Sequence, residues 1–193
     1  MFNREDSFLE SAKRHPFRLR YKAGITKDGR IVAWQGEQVD NCGAYNNQTQ
    51  FMNWRANVHS AGPYEIDNIK TDTYGVFTNN VHSGAMRGYS SPQLIWAQEQ
   101  FIEELAMACG MDELEFRRKN LMKKGFYHEF SKNELYFDTF NECMDKAIAY
   151  IDYYGKLKKY QSRLQEAREI IINSKIKLGY GTDIVDVYRN YES

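Results

Sequence analysis

Ser83-Gly84-Ala85-Met86-Arg87-Gly88-Tyr89-Ser90-Ser91-Pro92-Gln93 is the stretch around which this chain is organised. Two glycines flank an arginine, and a helix is expected directly afterwards, from Pro92 to Cys109. Ser91 makes an N-cap, and Pro92 takes the first helical position, where its missing N–H costs nothing. Leu94, Ile95, Phe101, Ile102, Leu105 and Cys109 recur at helical spacing, so one face is built for burial. Gly110 is placed to end the helix. The loop thus delivers backbone N–H groups to a helix N-terminus, where unpaired donors and the helix dipole favour anions. Arg87 adds a bidentate clamp and Tyr89 a flat face for a planar ring. The pattern equally suits a plain strand-to-helix connection without a ligand.

Upstream of the loop, the chain reads as sheet to about Asn80. Phe17, Leu19 and Tyr21 alternate onto one face, and Ile31 to Val39 forms a second strand. Lys27-Asp28-Gly29 between them is a hairpin signal, because Gly accepts the positive φ of a tight turn. Asp40 to Ser60 is polar and rich in Asn and Gln, and Ile69 to Thr78 is a further strand. Within the polar segment Arg55 follows Trp54. It is either a surface arginine packed on Trp54, or a fixed positive charge at the edge of an aromatic-lined pocket.

Downstream, a second helix is expected from Asp112, with Glu115 as capping-box partner, to Lys124 before Gly125. Phe140 to Ile151 and Tyr154 to Ser174 are further helices. The second of these is moderately basic, as a solvated face usually is. Lys177 to Tyr188 reads as a strand, followed by an uncapped tail from Arg189 to Ser193. The organisation is therefore 1–80 mainly strands, 84–125 loop and helices, 139–176 helices, and 177–193 a cut-off strand and tail.

Composition narrows the function classes. The 193 residues carry 26 Lys+Arg and 26 Asp+Glu, so the net charge is zero, which argues against a nucleic-acid binder. No apolar run approaches the roughly 20 residues that span a bilayer, and the charged start does not resemble a signal peptide. Cys42, Cys109 and Cys143 form no C-x-x-C pair, which fits reduced thiols and a cytoplasmic location. H-E-x-x-H, G-x-S-x-G and P-loop motifs are absent. His15, His59, His82 and His128 are scattered and read as surface or hydrogen-bonded loop residues, so no metal-ligand set and no catalytic residue is assigned.

Several stretches together resemble one family. Ser83 to Gln93 resembles the A-F-R-G-F-G-G-P-Q signature of the molybdenum hydroxylases, the xanthine dehydrogenase and aldehyde oxidase family. Lys13-Arg14-His15-Pro16 is similar to that family's G-[KR]-R-H-P, and Gly62 to Asn68 to its G-x-Y-x-I-x-N. Val76-Phe77-Thr78-Asn79 resembles V-Y-T-N, and Gly110 to Leu121 resembles G-x-D-P-x-E-F-R-x-K-N-L. The resemblance implies an α+β fold, a mixed sheet with packed helices, as the first lobe of a molybdopterin-binding domain. It implies that Ala85, Met86, Arg87 and Gly88 face the cofactor and that Tyr89 stacks on substrate. Arg55, 32 residues before Arg87, has the spacing of that family's purine-contacting arginine.

The implied activity is hydroxylation of a carbon beside a ring nitrogen in a purine-like N-heterocycle, with oxygen from water. The implied cofactor is molybdopterin, in its plain or dinucleotide form. Iron–sulfur clusters and FAD are expected on partner domains or subunits, together with the remainder of the molybdopterin subunit. Met86, Tyr89 and Ser90-Ser91 replace the family's two Phe and its Gly-Gly pair, which changes pocket shape and polarity. The family's general base lies outside the matched stretches, so the chain alone is expected to be inactive. The alternative is a non-catalytic assembly or ligand-binding module that retains the fold.

Overall fold

The computed structural model describes residues 1–129, 132–137, 139–173, 177–180 and 184–192. In chain order the elements are α1 (Arg4–Glu10), β1 (Phe17–Thr26), β2 (Ile31–Gly43), α2 (Thr49–His59), β3 (Asn68–Phe77) and α3 (Ser91–Ala108). There follow α4 (Glu113–Asn120), β4 (Tyr127–His128), β5 (Asn133–Glu134), α5 (Phe140–Ile151), α6 (Tyr153–Asn173), β6 (Lys177–Tyr180) and β7 (Ile184–Glu192). A mixed sheet runs in the order β3-β2-β1-β7-β6. The β2–β3 pair is parallel and the other pairs are antiparallel. The fold is α+β.

The hairpin forms as its turn signal predicts. Gly29 sits at φ +82, donates to the Thr26 carbonyl at 2.8 Å, and lets Thr26 N–H close on Arg30 at 2.9 Å. Alternation then sends Phe17, Leu19, Tyr21, Ala23 and Ile25 inward, all buried. Against that face lies α3, through Leu94, Ala97, Phe101, Ile102 and Leu105. Tyr21, Trp34 and Phe101 form the centre, with ring centroids 5.0 to 5.8 Å apart. Offset and edge contacts of this kind add to the area that each ring buries.

Several expectations need correction. The polar segment upstream is not all loop or strand: α2 forms there because Met52 and Ala56, one turn apart, are both buried. Another helix, α1, opens the chain, closed by a capping box between Asn3 and Asp6. The region 1–80 thus carries two helices beside its three strands, and the strands hold the larger share. Ile95 is 47% exposed and does not belong to the buried face of α3. Ser90, not Ser91, is the N-cap of α3; it has φ +72 and makes no side-chain cap.

Asp112 does cap α4, accepting from Leu114 and Glu115 N–H. That helix stops at Asn120 rather than Lys124, because the main chain turns extended at Leu121 and pairs beside Tyr64: Glu65 N–H donates to the Asn120 carbonyl at 2.7 Å and Met122 N–H to the Pro63 carbonyl at 3.0 Å. The Asn120 side chain ties this end to the hairpin. It accepts from Ile31 N–H at 2.8 Å and donates to the Gly29 carbonyl at 2.8 Å. The tail is not loose: Arg189, Asn190, Tyr191 and Glu192 pair with Tyr21, Arg20, Leu19 and Arg18 within β7. The single strand expected over 177–188 is two, β6 and β7. The expected helix end at Ser174 and the residues 181–183 and Ser193 lie outside the described residues.

Candidate functional site

The loop between β3 and α3 is gripped by one tripeptide, Lys13-Arg14-His15. At its start the main chains form a bridge: Lys13 N–H donates to the His82 carbonyl at 3.3 Å, and Gly84 N–H to the Lys13 carbonyl at 2.9 Å. At its end side chains take over. Arg14 Nη2 donates to the Arg87 carbonyl at 2.9 Å, and Gln93 Nε2 to the His15 carbonyl at 2.8 Å. Between these anchors the backbone turns through Gly88, Tyr89 and Ser90 at φ +89, +48 and +72. Only the first is glycine, so two ordinary residues hold a conformation that costs roughly 1 kcal/mol or more each.

The turn consumes some of the expected donors. Tyr89 N–H bonds the Met86 carbonyl at 2.9 Å and Ser91 N–H the Gly88 carbonyl at 3.1 Å. Ala85, Met86, Arg87 and Gly88 are exposed, and among the described residues their N–H groups meet no acceptor. A run of exposed, unpartnered backbone donors on a fixed loop suits a ligand rich in oxygen and ring-nitrogen acceptors. A pterin bearing phosphate fits that description.

Two residues assigned to substrate come together from different elements. Arg55, half-buried on α2, holds its guanidinium carbon 6.0 Å from the Tyr89 ring centroid. Its Nε is enclosed without a hydrogen-bond partner among the described residues. Trp54 is 64% exposed, so the pairing of Arg55 with Trp54 gives way to one with Tyr89. One turn further along α2, burial and then the Arg55 charge hold the His59 imidazole below the usual histidine range.

Beneath the loop lies a group that sequence reading did not assemble. His15 Nδ1 meets both oxygens of Asp40, and both side chains are fully buried. With its amide turned to satisfy its neighbours, Asn53 of α2 donates to Asp40 Oδ2 at 2.9 Å and accepts from Gly75 N–H. Burial pushes the Asp40 carboxyl up, against the pull of His15. The Lys-Arg-His run was the signal for this group, but its partner becomes visible only through the β1–β2 register. Among the described residues no cluster of three or more His, Cys, Asp or Glu is placed to hold a metal. Nor is any helix long and apolar enough to cross a membrane.

The geometry is that of a fixed loop with exposed backbone donors beside an arginine–tyrosine pair, and comparison with known proteins says which family carries it. Residues 1–121 match the molybdopterin cofactor-binding domain family, and the chain belongs to it. It is 42% identical over 123 residues to the nicotinate dehydrogenase large molybdopterin subunit of Eubacterium barkeri, covering 64% of this chain and 29% of that protein. Xanthine dehydrogenase/oxidase of Felis catus is 33% identical over 159 residues, 82% of this chain and 12% of that one. Among solved structures, the aldehyde oxidoreductase from Desulfovibrio gigas superposes with a TM-score of 0.76 at 28% identity, covering 83% of this chain and 17% of that one. The chain thus spans less than a third of each of these relatives.

Proposed function

We propose that this chain is the cofactor-facing and substrate-facing lobe of a molybdenum-dependent hydroxylase that oxidises a purine-like N-heterocycle, with water as the oxygen source. The observation that carries the reading is Arg55 held over Tyr89, half-buried and with an Nε that meets no partner among the described residues. When bound, the molybdopterin cofactor supplies two-electron redox chemistry and activation of water. The N–H groups of residues 85–88 hold it. Tyr89 keeps the heterocycle flat, and Arg55 stands at the ring edge to stabilise negative charge as it develops there. The general base, the rest of the molybdopterin subunit, and the iron–sulfur and flavin centres lie outside this chain, which alone is inactive. Free thiols at Cys42, Cys109 and Cys143 fit a cytoplasmic location.

The test is Arg55→Met in the full-length protein that carries this chain, assayed on a purine and on an aldehyde. A fixed donor aimed at developing charge is worth about 3 kcal/mol, so kcat/KM for the purine should fall on the order of 100-fold. The aldehyde should lose far less. Purine turnover unchanged within about twofold removes Arg55 from the pocket. Tyr89→Leu should raise KM for planar heterocycles several-fold, and an unchanged KM removes the stacking role.

A further inference from the structure

We propose that Arg14 is a positioning residue for the donor loop: by holding the Arg87 carbonyl oxygen it aims the Gly88 N–H at the bound pterin cofactor. The inference rests on the reading of residues 85–88 as the cofactor contact. Its geometry is that of one peptide plane. In a trans peptide the C=O and the following N–H point in opposite directions, and no cis bond occurs among the described residues. Anchoring the Arg87 oxygen on Arg14 at 2.9 Å therefore turns the Gly88 N–H away from Arg14, toward the exposed side of the loop.

Arg14 is suited to the task. It is half-buried, and among the described residues it forms no ion pair, so its charge is not spent on a carboxylate. Its second amino group reaches Gln93 Oε1 at 3.5 Å. Gln93 is itself 7% exposed and fixed by its bond to the His15 carbonyl. The guanidinium is thus held from α3 while it holds the loop. The bond falls directly before the three positive-φ residues, where the backbone has least tendency to keep its course unaided. A cation beside the loop, free of ion pairs among the described residues, also raises the local potential for an anionic cofactor.

The test uses the full-length protein with Arg14→Met and Arg14→Lys. Molybdenum per polypeptide after dialysis should fall about tenfold for Arg14→Met, the worth of one charge-assisted hydrogen bond. Lysine still reaches one carbonyl, so Arg14→Lys should recover most of that loss. In cofactor-depleted protein, tryptic cleavage of the Arg87–Gly88 bond should speed up about tenfold relative to cleavage after Lys124, with the melting temperature little changed.

Molybdenum retained by Arg14→Met overturns the inference, whatever happens to cleavage. Molybdenum lost with cleavage unchanged overturns it too, because Arg14 would then act on the cofactor without the carbonyl. If Arg55→Met and Tyr89→Leu still show their effects, the reading of the site survives that failure. If all three variants leave turnover and molybdenum unchanged, the reading itself fails.

Discussion

His15 Nδ1 stands 2.8 Å from Asp40 Oδ1, with neither side chain reached by solvent. Nδ1 lies within hydrogen-bond distance of both carboxyl oxygens, while Nε2 is enclosed without a partner among the described residues. The pair joins β1's approach to β2, and Asn53 extends it to α2 and β3. Removing one partner leaves the other buried and unpaired. Asp40→Ala should therefore cost about 3–5 kcal/mol of unfolding free energy, and Asp40→Asn, which keeps an acceptor, about 1–2 kcal/mol. Urea denaturation measures both; equal losses for the two variants would mean that the bond to His15 carries none of the effect.

Ser90 sits at φ +72, and its hydroxyl bonds the Met52 carbonyl of α2 at 3.3 Å. Strain and bond oppose each other, and two variants separate them. Ser90→Ala loses the bond and keeps the strain. Ser90→Gly loses the bond and relieves the strain. The glycine variant should be more stable than the alanine one by about 1 kcal/mol, read from denaturant midpoints. Equal stabilities would show that the positive φ is not costly at this position.

What the sequence discloses here is what local chemistry decides. The alternation of Phe17, Leu19 and Tyr21 and the Asp28-Gly29 turn need only their neighbours, and both strands and the hairpin follow from them. In α2 the apolar residues are too few and the Asn and Gln too many for a periodic signal; packing of Met52 and Ala56 makes it a helix. The early end of α4 depends on the chain at Leu121 pairing with Tyr64, a contact with no local trace. The same holds at the site. Loop and arginine are readable as motifs, but which ring Arg55 lies against, and which carboxyl His15 meets, are set by strand register and helix packing.

At the hairpin turn Lys119 Nζ donates to Asp28 Oδ2 at 2.7 Å. That bond, with a second from Thr26, holds the exposed Asp28 carboxyl down to about 2. A carboxyl whose folded value is depressed contributes stability that is full above its ordinary value and lost as pH falls through the lower one. Here the window runs from 3.8 down to about 2. Lys119→Met should raise the Asp28 titration toward 3.8, leaving the pull of Thr26 and of a backbone hydrogen bond, and should flatten the acid dependence of stability in that window. Added salt should do part of the same. Carboxyl NMR reads the titration directly, and an Asp28 value unmoved by the substitution would exclude Lys119 as its cause.

The neighbourhood of Arg55 is open to a test without any catalytic assay. Burial lowers the His59 pKa first, and the Arg55 charge lowers it further. A histidine whose folded value is depressed contributes stability above its unfolded value of 6.5, lost as pH falls through the folded one. Arg55→Met should raise the His59 titration part of the way to 6.5, because the burial contribution remains. Arg55→Lys keeps a positive charge and should leave it low. Imidazole NMR over the neutral range distinguishes the two. A His59 titration that is the same in wild type, Arg55→Met and Arg55→Lys would mean that the guanidinium does not sit where α2 and Tyr89 place it, and the charge proposed for the ring edge would go with it.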